Sequence, residues 1–256
     1  MDIVLRDGVE LNEVNIVTRK LGTMKLRSSV MNEDMISSAE LSRAACCNLG
    51  ESFVTNPSVD VSYSDAATGA KQIKLLGLSG TYVQMLTENI PNYRGAAAPY
   101  GLGYVPGPWM QSIQVSKGTS SVKNGYEAIT GQINVEFKKP QLPEADWVSA
   151  NLFASTTNRY EANADATLKL SKRWSTSLLA HYENETKAHD GNDDGFVDIP
   201  QVEQYNVWNR WAYMGDHYVF QAGIKALSET RTSGQANHGG TMHSGDLYKV
   251  GIDTER

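Results

Sequence analysis

The chain has 256 residues, of which 40% are hydrophobic and 20% are charged. This length allows one large domain or two ordinary ones, and the balance is typical of a folded protein rather than a disordered or coiled-coil one. The formal net charge of -6 argues against a nucleic-acid binder, because no basic stripe is present to neutralise phosphates. No run approaches about 18 consecutive apolar residues, so no transmembrane helix is predicted. Strands that face lipid with every second residue stay possible.

The first residues show no apolar run of signal-peptide length between Met1 and Gly8. If the protein functions outside the cytoplasm, we expect its export signal to have been removed or left out. Within residues 1–30 the most strand-like run is Val14–Thr18, because β-branched residues favour extended backbone.

Residues 34–53 follow the spacing of an amphipathic helix. Apolar or small side chains recur at steps of four and three residues, which predicts one helix with a buried face. These positions are Met35, Ala39, Ser42, Cys46, Leu49 and Phe53.

The two cysteines, Cys46 and Cys47, are neighbours within this predicted helix. A disulfide between them is expected to be strained, since adjacent Cα atoms lie about 3.8 Å apart and disulfides need about 4.4–6.8 Å. One interpretation is burial as small apolar side chains, which we favour. The other is a soft-metal or redox pair helped by Met31 and Met35.

Short strands are predicted after the helix. They are Val59–Tyr63, Ile73–Leu78, Val83–Leu86, Ile113–Val115 and Ile133–Phe137. Two stretches rich in turn formers lie between them, Ser64–Lys71 and Pro91–Pro108. The second is longer than most loops of a compact domain, and such loops are commonly functional. A passive wrapping segment is the alternative.

The pattern changes after a linker with two prolines, Lys138–Pro143. Beyond it, apolar and polar residues alternate over segments of about ten residues, which is typical of β-barrel strands. In Tyr160–Leu170 one face holds tyrosine, alanine and leucine, and the other holds glutamate, asparagine, aspartate, threonine and lysine. The further predicted strands are Trp147–Ser155, Trp174–Glu183, Tyr205–Met214, Tyr218–Leu227 and Asp246–Thr254.

The connections between these strands alternate in length. Ser171–Arg173 and Gly215–His217 are short, whereas Ala188–Gln204 and Thr230–Gly245 are long. Because bacterial barrels have short periplasmic turns and longer outer loops, strands one, three and five are predicted to run outward. A soluble antiparallel sandwich would show the same alternation.

The most specific motif reads MQSIQVSKGTSS at Met110–Ser121 and continues as GYEAITGQINV at Gly125–Val135. These segments resemble the end of the plug domain of TonB-dependent outer-membrane receptors. Leu49–Val61 and Ile73–Leu86 resemble the opening of that plug and its next strands. The glycines of the motif permit the tight turns by which a plug folds back on itself.

Two departures from the family pattern indicate a subfamily. Leu76 stands where the family commonly has arginine, and Thr87–Asn89 replaces the usual Asp-Gly pair. For this reason no known substrate is carried over to the chain.

The resemblance covers residues 11–140 and implies a mainly β fold: an α+β plug domain followed by antiparallel strands of an incomplete transmembrane β-barrel. The implied organisation is residues 1–18 as an N-terminal arm, 19–140 as the plug, 141–145 as a linker and 146–256 as the first barrel strands. With strands about 4.8 Å apart and tilted by about 40°, roughly twenty or more would be needed to enclose such a plug, and the resemblance implies roughly twenty-two. About six can be read here, so we expect a fragment of a receptor.

The resemblance also implies a function, active uptake of a scarce ligand across the bacterial outer membrane, without enzymatic chemistry. The ligand would be a metal chelate, haem, cobalamin or similar, and the partners would be TonB and outer-membrane lipid, with no nucleic acid. TonB would pair with an N-terminal box as an added strand and displace the plug. The best candidate box consists of Leu11, Glu13, Val14, Asn15, Ile16 and Val17. An ordinary first plug strand is the alternative for this segment.

Ligand contacts are expected on the two turn-rich loops of the plug, from polar and aromatic residues. The candidates are Tyr63, Asp65, Lys71, Asn92, Tyr93, Arg94, Tyr100 and Tyr104.

The acidic loop at residues 190–198 predicts a calcium site. Oxygen donors stand at relative positions 1, 3, 5 and 9 with glycine at position 6, as in the front half of an EF-hand loop. The candidate ligands are Asp190, Asn192, Asp194, the carbonyl of Phe196, and Asp198. Position 12 is Gln201 rather than glutamate. A solvated acidic turn is the alternative.

Other readings of the sequence stay open. His238, Met242 and His243 could touch a metal or haem, although a ligand-free polar loop is favoured. A secreted calcium-dependent β-sandwich binding module is the second functional hypothesis. A hydrolase that uses carboxylates within residues 183–203 is the third.

Overall fold

The computed structural model describes residues 23–25, 32–44, 47–54, 56–65, 67–78, 80–119, 124, 127–140, 146–235 and 248–256. The predicted strand Val14–Thr18, the candidate TonB box, Cys46, the linker 141–145 and the loop residues His238, Met242 and His243 lie outside the described residues.

The described residues form fourteen strands and two short α-helices. The strands are β1 (Thr23–Lys25), β2 (Asn32–Ser37), β3 (Val59–Asp65), β4 (Ala70–Leu75), β5 (Val83–Thr87), β6 (Ile90–Pro91), β7 (Met110–Lys117), β8 (Gly131–Phe137), β9 (Val148–Ala154), β10 (Arg159–Lys169), β11 (Trp174–Glu185), β12 (Gln201–Met214), β13 (Val219–Gly234) and β14 (Lys249–Glu255). The helices are α1 (Ser38–Arg43) and α2 (Ala98–Gly101), with 3-10 turns at Leu49–Phe53, Gly80–Tyr82, Gly95–Ala97 and Gly107–Trp109.

The N-terminal unit, residues 23–140, is built on a mixed sheet of order β1-β2-β7-β8-β5-β6, in which only β5 and β8 are parallel among the described pairs. A separate hairpin pairs β3 with β4. Every residue of β8 is buried, because this central strand has Ile133, Val135 and Phe137 on one face and polar residues on the other. The five strands predicted for this region after the helix are confirmed.

The predicted helix over residues 34–53 is wrong at both ends. Met35 lies in β2 opposite Gln114 of β7, so strand pairing takes the first residues of the predicted helix. The helix ends at Arg43, and a separate 3-10 turn follows, whose cap Asn48 accepts a hydrogen bond from the amide of Glu51 at 3.3 Å. Strand pairing between β2 and β7 and the cap at Asn48 stabilise other structures at the two ends of this segment, so the helix predicted from the spacing of apolar residues does not form over its full length.

The six strands β9–β14 form one antiparallel sheet in which each strand pairs with its neighbour in sequence. We call it the wall sheet. All six predicted barrel strands are therefore confirmed, although β12 and β13 extend further toward the long connections than expected. Within the described residues, β9 and β14 each keep one unpaired edge.

The wall sheet is polar on its buried face and apolar on its exposed face. On β10, Glu161, Asn163 and Asp165 are buried, whereas Tyr160 and Leu168 are exposed. This polarity is the reverse of a soluble sandwich, whose buried face is apolar. It is the arrangement of a membrane barrel, which faces lipid outward and keeps polar groups inside.

Two aromatic belts bound the exposed face. One contains Trp174 and Tyr213, whose ring centroids are 5.0 Å apart, and the other contains Tyr182 and Tyr205, also 5.0 Å apart. On β11 the belts are separated by the eight residues from Trp174 to Tyr182, about 27 Å along the strand at about 3.4 Å per residue. A tilt of about 40° reduces this to about 21 Å, close to the apolar band of about 25 Å in outer-membrane barrels.

The N-terminal unit packs on the buried face of the wall sheet. Leu179 and Leu227 of the wall join the hydrophobic core of the unit, and Trp208 packs against this core. The rings of Phe137 and Trp208 meet edge-to-face at a centroid distance of 5.2 Å. No helix among the described residues is long and apolar enough to cross a membrane.

Gly131 provides a test of the packing in the N-terminal unit. Its φ is +154°, and an added Cβ would lie 2.1 Å from the carbonyl oxygen of Ser116 on β7. Gly131→Ala is therefore expected to lower the free energy of unfolding by about 3 kcal/mol or more, measured by urea unfolding of the full-length receptor. The control is Gly251→Ala, where an added Cβ meets nothing within 4 Å. Equal urea midpoints for the two variants would contradict the packing described.

Candidate functional site at the junction of the two units

The direction of the wall strands gives the molecule an outer and an inner end. The connections at residues 170–173 and 215–218 are short, and those at 186–200 and 235–248 are long. Under the barrel rule, the long connections mark the outer end. The β3–β4 turn of the N-terminal unit lies at this outer end, since it contacts wall residues next to the long connections.

At the outer end, three contacts join the units. Arg231 Nη1 donates to the carbonyl oxygen of Thr68 at 3.3 Å, and Gln204 Nε2 donates to the carbonyl oxygen of Gly103 at 3.4 Å. Gly69, with φ +66°, lies so close to Pro200 that an added Cβ would be 2.9 Å from its Cγ. The turn is thus seated against both the wall and the long 186–200 connection.

Arg159, at the start of β10, joins the units through a buried charge cluster. Its Nη1 donates to Glu51 Oε1 at 3.0 Å, across the junction. Its Nη2 and Nε lie 2.6 Å from Glu161 Oε1 and 3.0 Å from Glu183 Oε1. Neither Nε nor Glu161 Oε1 has a partner of regular hydrogen-bond geometry, so we describe these two contacts as ion pairs only.

In the middle of the junction, Lys225 holds the 91–108 segment. Its Nζ donates to Tyr93 Oη at 2.8 Å and to the carbonyl oxygen of Tyr104 at 3.0 Å. Asn206 Nδ2 donates to the same carbonyl at 3.0 Å. Burial raises the pKa of both tyrosines, so they stay neutral near pH 7. Two wall side chains, Lys225 and Asn206, therefore hold one segment through uncharged acceptors.

At the inner end, two ion pairs join the units. Arg210 Nη2 lies 2.5 Å from Glu88 Oε1, and Lys138 Nζ lies 2.7 Å from Asp165 Oδ1. Glu88 also accepts from the amide of Phe137 at 3.0 Å. The junction is therefore fastened at its outer end, its middle and its inner end, mainly by polar contacts.

Several cavities adjoin these contacts, and two of them contain predicted ligand contacts of the β3–β4 turn and the 91–108 segment. The outer cavity, of about 70 Å³, lies between the units. Its charged and aromatic lining residues are Tyr63, Lys71, Tyr100, Arg159, Glu183, Glu185 and Arg231. A larger cavity of about 450 Å³ lies within the N-terminal unit, lined by Ile73, Val83, Tyr93, Arg94, Leu102 and Glu127 among others.

Residues 25–132 match the sequence profile of the family described as TonB-dependent Receptor Plug Domain. The N-terminal unit is a TonB-dependent receptor plug. The family resemblance seen in the sequence is confirmed, and with it the fold, a plug followed by antiparallel barrel-type strands, and the bacterial outer membrane as the location.

The chain also resembles individual members of this family. It is 24% identical over 185 residues to the vitamin B12 transporter BtuB of Vibrio vulnificus (strain CMCP6), covering 72% of this chain and 30% of that protein. Its fold matches the ferric yersiniabactin uptake receptor FyuA of Yersinia pestis (TM-score 0.62, 15% identity, 80% of this chain and 32% of that one). It also matches the copper transporter OprC (TM-score 0.63, 15% identity, 83% and 33%).

The chain spans about a third of the length of each of these proteins. They are transporters and receptors rather than enzymes, and the hydrolase hypothesis receives no support. The sandwich hypothesis is wrong, because the second half forms a single sheet whose buried face is polar and covered by the plug.

The structure places the eight predicted ligand contacts in different surroundings. Tyr63, Lys71 and Tyr100 line the outer cavity, Arg94 lines the plug cavity, and Asp65 is exposed on the β3–β4 turn. The remaining three face the junction. Tyr93 and Tyr104 are buried there, and Asn92 accepts from Arg256 at 2.7 Å.

Burial shifts the pKa of two plug residues at the junction, Lys71 and Cys47. Burial lowers the pKa of Lys71, although nearby Glu51 opposes the effect. Burial, with Glu161 and Glu51 adding to it, raises the pKa of the Cys47 thiol. Because metals and oxidants react with the thiolate, this shift disfavours the reactive form of Cys47, and the role of the cysteine pair stays a prediction.

The acidic loop turns its oxygens toward its own backbone. Asp190 accepts from the amides of Asp194 and Gly195 at 3.2 and 2.9 Å, and Asp198 accepts from the amide of Gly191 at 2.7 Å. In the part of the chain that the structure describes, no three or more His, Cys, Asp or Glu side chains are grouped to hold a metal ion. Calcium binding at this loop stays a prediction.

The wall residues of the junction were not singled out from the sequence. Arg159, Arg210 and Lys225 are charged residues at positions that the alternation places on the inward face. This placement could have identified them as inward-facing charges. The sequence does not show which plug residues they contact, because these partners are 108, 122 and 132 residues away in the chain.

Arg159→Met tests the charge cluster. It removes the cation that faces three carboxylates, so the free energy of unfolding should fall by about 3–5 kcal/mol, measured by urea unfolding of the full-length receptor. The matched control is Arg173→Met, which breaks the exposed pair with Asp216 and should cost about 0–1 kcal/mol. An equal loss in both variants would show that the Arg159 cluster does not stabilise the junction.

Proposed function

We propose that this chain belongs to a receptor that takes up a scarce ligand across the bacterial outer membrane. TonB supplies the force that moves the plug. The polar junction between plug and wall is the observation that supports this most directly.

A polar junction suits a plug that must move. A hydrogen bond within a protein contributes only about 0.5–1.5 kcal/mol net, because water replaces it when it breaks. The contacts of Asn206 and Gln204 are of this kind, whereas those of Lys225 and Arg231 have charged donors and contribute about 1.5–3 kcal/mol each. Apolar packing across the junction comes from three wall residues, Leu179, Trp208 and Leu227, which contact the hydrophobic core of the plug. Water entering the junction would therefore offset much of the cost of displacement.

The ligand enters from the outer end. Tyr63, Lys71 and Tyr100 line the outer cavity, and the 186–200 connection lies against the β3–β4 turn. The relatives transport or take up vitamin B12, ferric yersiniabactin and copper. For this chain, the ligand class is a metal chelate, haem, cobalamin or similar.

TonB binds the N-terminal arm by strand addition. This mode of recognition needs a short extended segment whose backbone amides are free to pair. Leu11–Val17 has the alternating, β-branched character of such a segment. Pulling on it would draw the plug toward the inner end, where Arg210–Glu88 and Lys138–Asp165 are the last ion pairs to resist.

Val14→Pro tests this function in cells that express the full-length receptor. Proline removes a backbone amide that an added strand needs, so energy-dependent uptake should fall at least about tenfold. The probes are radiolabelled cyanocobalamin, ferric siderophores, haem and copper, each measured with and without a protonophore.

The matched control is Val4→Pro, outside the candidate box, which should leave uptake unchanged. Binding of the transported probe to de-energised cells should be the same in all forms. Unchanged uptake by Val14→Pro would remove this segment from the mechanism. Failure of the wild type to accumulate any of the probes, with the protonophore having no effect, would contradict energised uptake of these ligand classes.

A further inference from the structure

The outer cavity lies where carboxylates outnumber cations. Glu183 and Glu185 line it from β11, and Glu51 and Glu161 reach the same Arg159 guanidinium. The residues around it come from the plug, from strands β10 to β13, each of which is paired on both sides, and from Ile199 and Pro200 in the connection before β12. The composition of this region therefore does not depend on an open edge of the wall sheet.

The charges around the cavity do not balance. Arg231 is paired with Glu229 at 3.0 Å, so that pair is neutral. Arg159 and Lys71 then face the carboxyl groups of Glu161, Glu183 and Glu185, which leaves one negative charge without a lysine or arginine when all three are ionised. Two histidines lie near these carboxyl groups: His181, whose Nε2 is 3.8 Å from Glu183, and His189, which is close enough to Glu185 to interact with its charge. Each offsets the excess only when its ring is protonated. Uncompensated charge is costly in a site removed from water.

Among these carboxyl groups, Glu185 has the fewest compensating contacts. Its side chain lines the cavity and the residue is only 5% exposed. In the described chain it has neither a hydrogen bond nor an ion pair. Glu183, two residues earlier on the same face of β11, already contacts Arg159 and therefore has one neighbouring cation. A buried carboxyl group that faces a cavity without a hydrogen bond or ion pair calls for an explanation, and a bound ion is one.

We propose that the outer cavity binds one small cation, held by the carboxylates of Glu185 and Glu183. The cation is either a hydrated metal ion or an ammonium group of a ligand. A cavity of about 70 Å³ has room for a few water molecules, because one water occupies about 30 Å³ of liquid.

The same observations argue against an anion in this cavity. Lys71 is the only cation lining it without a carboxylate partner among the described residues, and its Nζ lies over the ring of Tyr63, 5.4 Å from the centroid. A bound anion would add negative charge to a region in which carboxyl groups already outnumber cations. The absence of a group of three acidic, histidine or cysteine donors among the described residues means that a metal ion here would keep water ligands, as hard cations often do.

The test uses the purified full-length receptor and two probes, Tb³⁺ and methylammonium. Tb³⁺ emission can be excited through nearby tyrosines, and Tyr63 and Tyr100 line the cavity. Wild-type protein should show saturable emission, and Glu185→Gln should weaken Tb³⁺ binding at least about tenfold, as expected when one of two carboxylate ligands is lost. Displacement of Tb³⁺ by methylammonium would identify a site that also takes organic cations, and no displacement would identify a metal site.

Two controls locate the signal. Glu203→Gln removes an exposed carboxylate on β12 and should leave binding unchanged. Asp194→Asn removes an oxygen from the acidic loop, so a signal lost there and kept in Glu185→Gln would place the ion in that loop and overturn the proposal.

Thermal unfolding keeps the proposal testable independently of emission. Each probe that binds the site should raise the Tm of the wild type, and Glu185→Gln should not respond, because only binding to the folded state shifts its stability. Without a probe, Glu185→Gln should melt no lower than the wild type, since it removes an unpaired buried charge. If neither probe shifts the wild-type Tm or gives emission, the excess charge is compensated by protons and the cation site is disproved. None of these readouts requires transport or TonB, so this result is separate from the proposed function.

Discussion

The two-residue period of the wall strands constrains every other part of this molecule. Strands that present side chains such as Leu178 and Ile224 outward must turn the alternate side chains inward, and most of these are polar. The plug therefore meets a surface made mainly of carboxyl groups, amides and cations, in which Leu179, Trp208 and Leu227 are apolar exceptions. Its own contact residues are correspondingly backbone carbonyls, tyrosine hydroxyls and charged side chains. Where the two units share apolar packing, as at Phe137 and Trp208, the contact is local.

Charge is distributed unevenly along this junction. At the inner end, Arg210 with Glu88 and Lys138 with Asp165 form matched pairs. In the middle, Lys225 is held by a hydroxyl and a carbonyl, and by the rings of Tyr93 and Trp109. Only at the outer end do carboxylates exceed cations. Since a buried excess of one sign must be compensated, the outer end is where a ligand, an ion or protons have the strongest effect on how firmly the plug is seated.

The errors of the sequence interpretation follow from long-range contacts. Met35 has the spacing of a helix face, yet it pairs with β7, and no local signal reports a strand that lies about eighty residues further along the chain. A different case is Tyr93 and Tyr104, predicted as ligand contacts in the long segment 91–108. Lys225 and Asn206 of the wall hold them at the junction, which the sequence does not show, and ligand contact by these two residues stays a prediction.

The sequence by itself determined the plug family, the number and approximate bounds of the wall strands, and which side chains share a face. Each of these is encoded locally, in a motif or in a period of two that holds wherever the strand is placed. Tertiary structure alone decided which inward charge meets which plug residue, because strand tilt and register set those distances. It also decided that Glu185 faces a cavity without a partner. The chain shows that Glu185 points inward, but only the seated plug shows that nothing described there neutralises it.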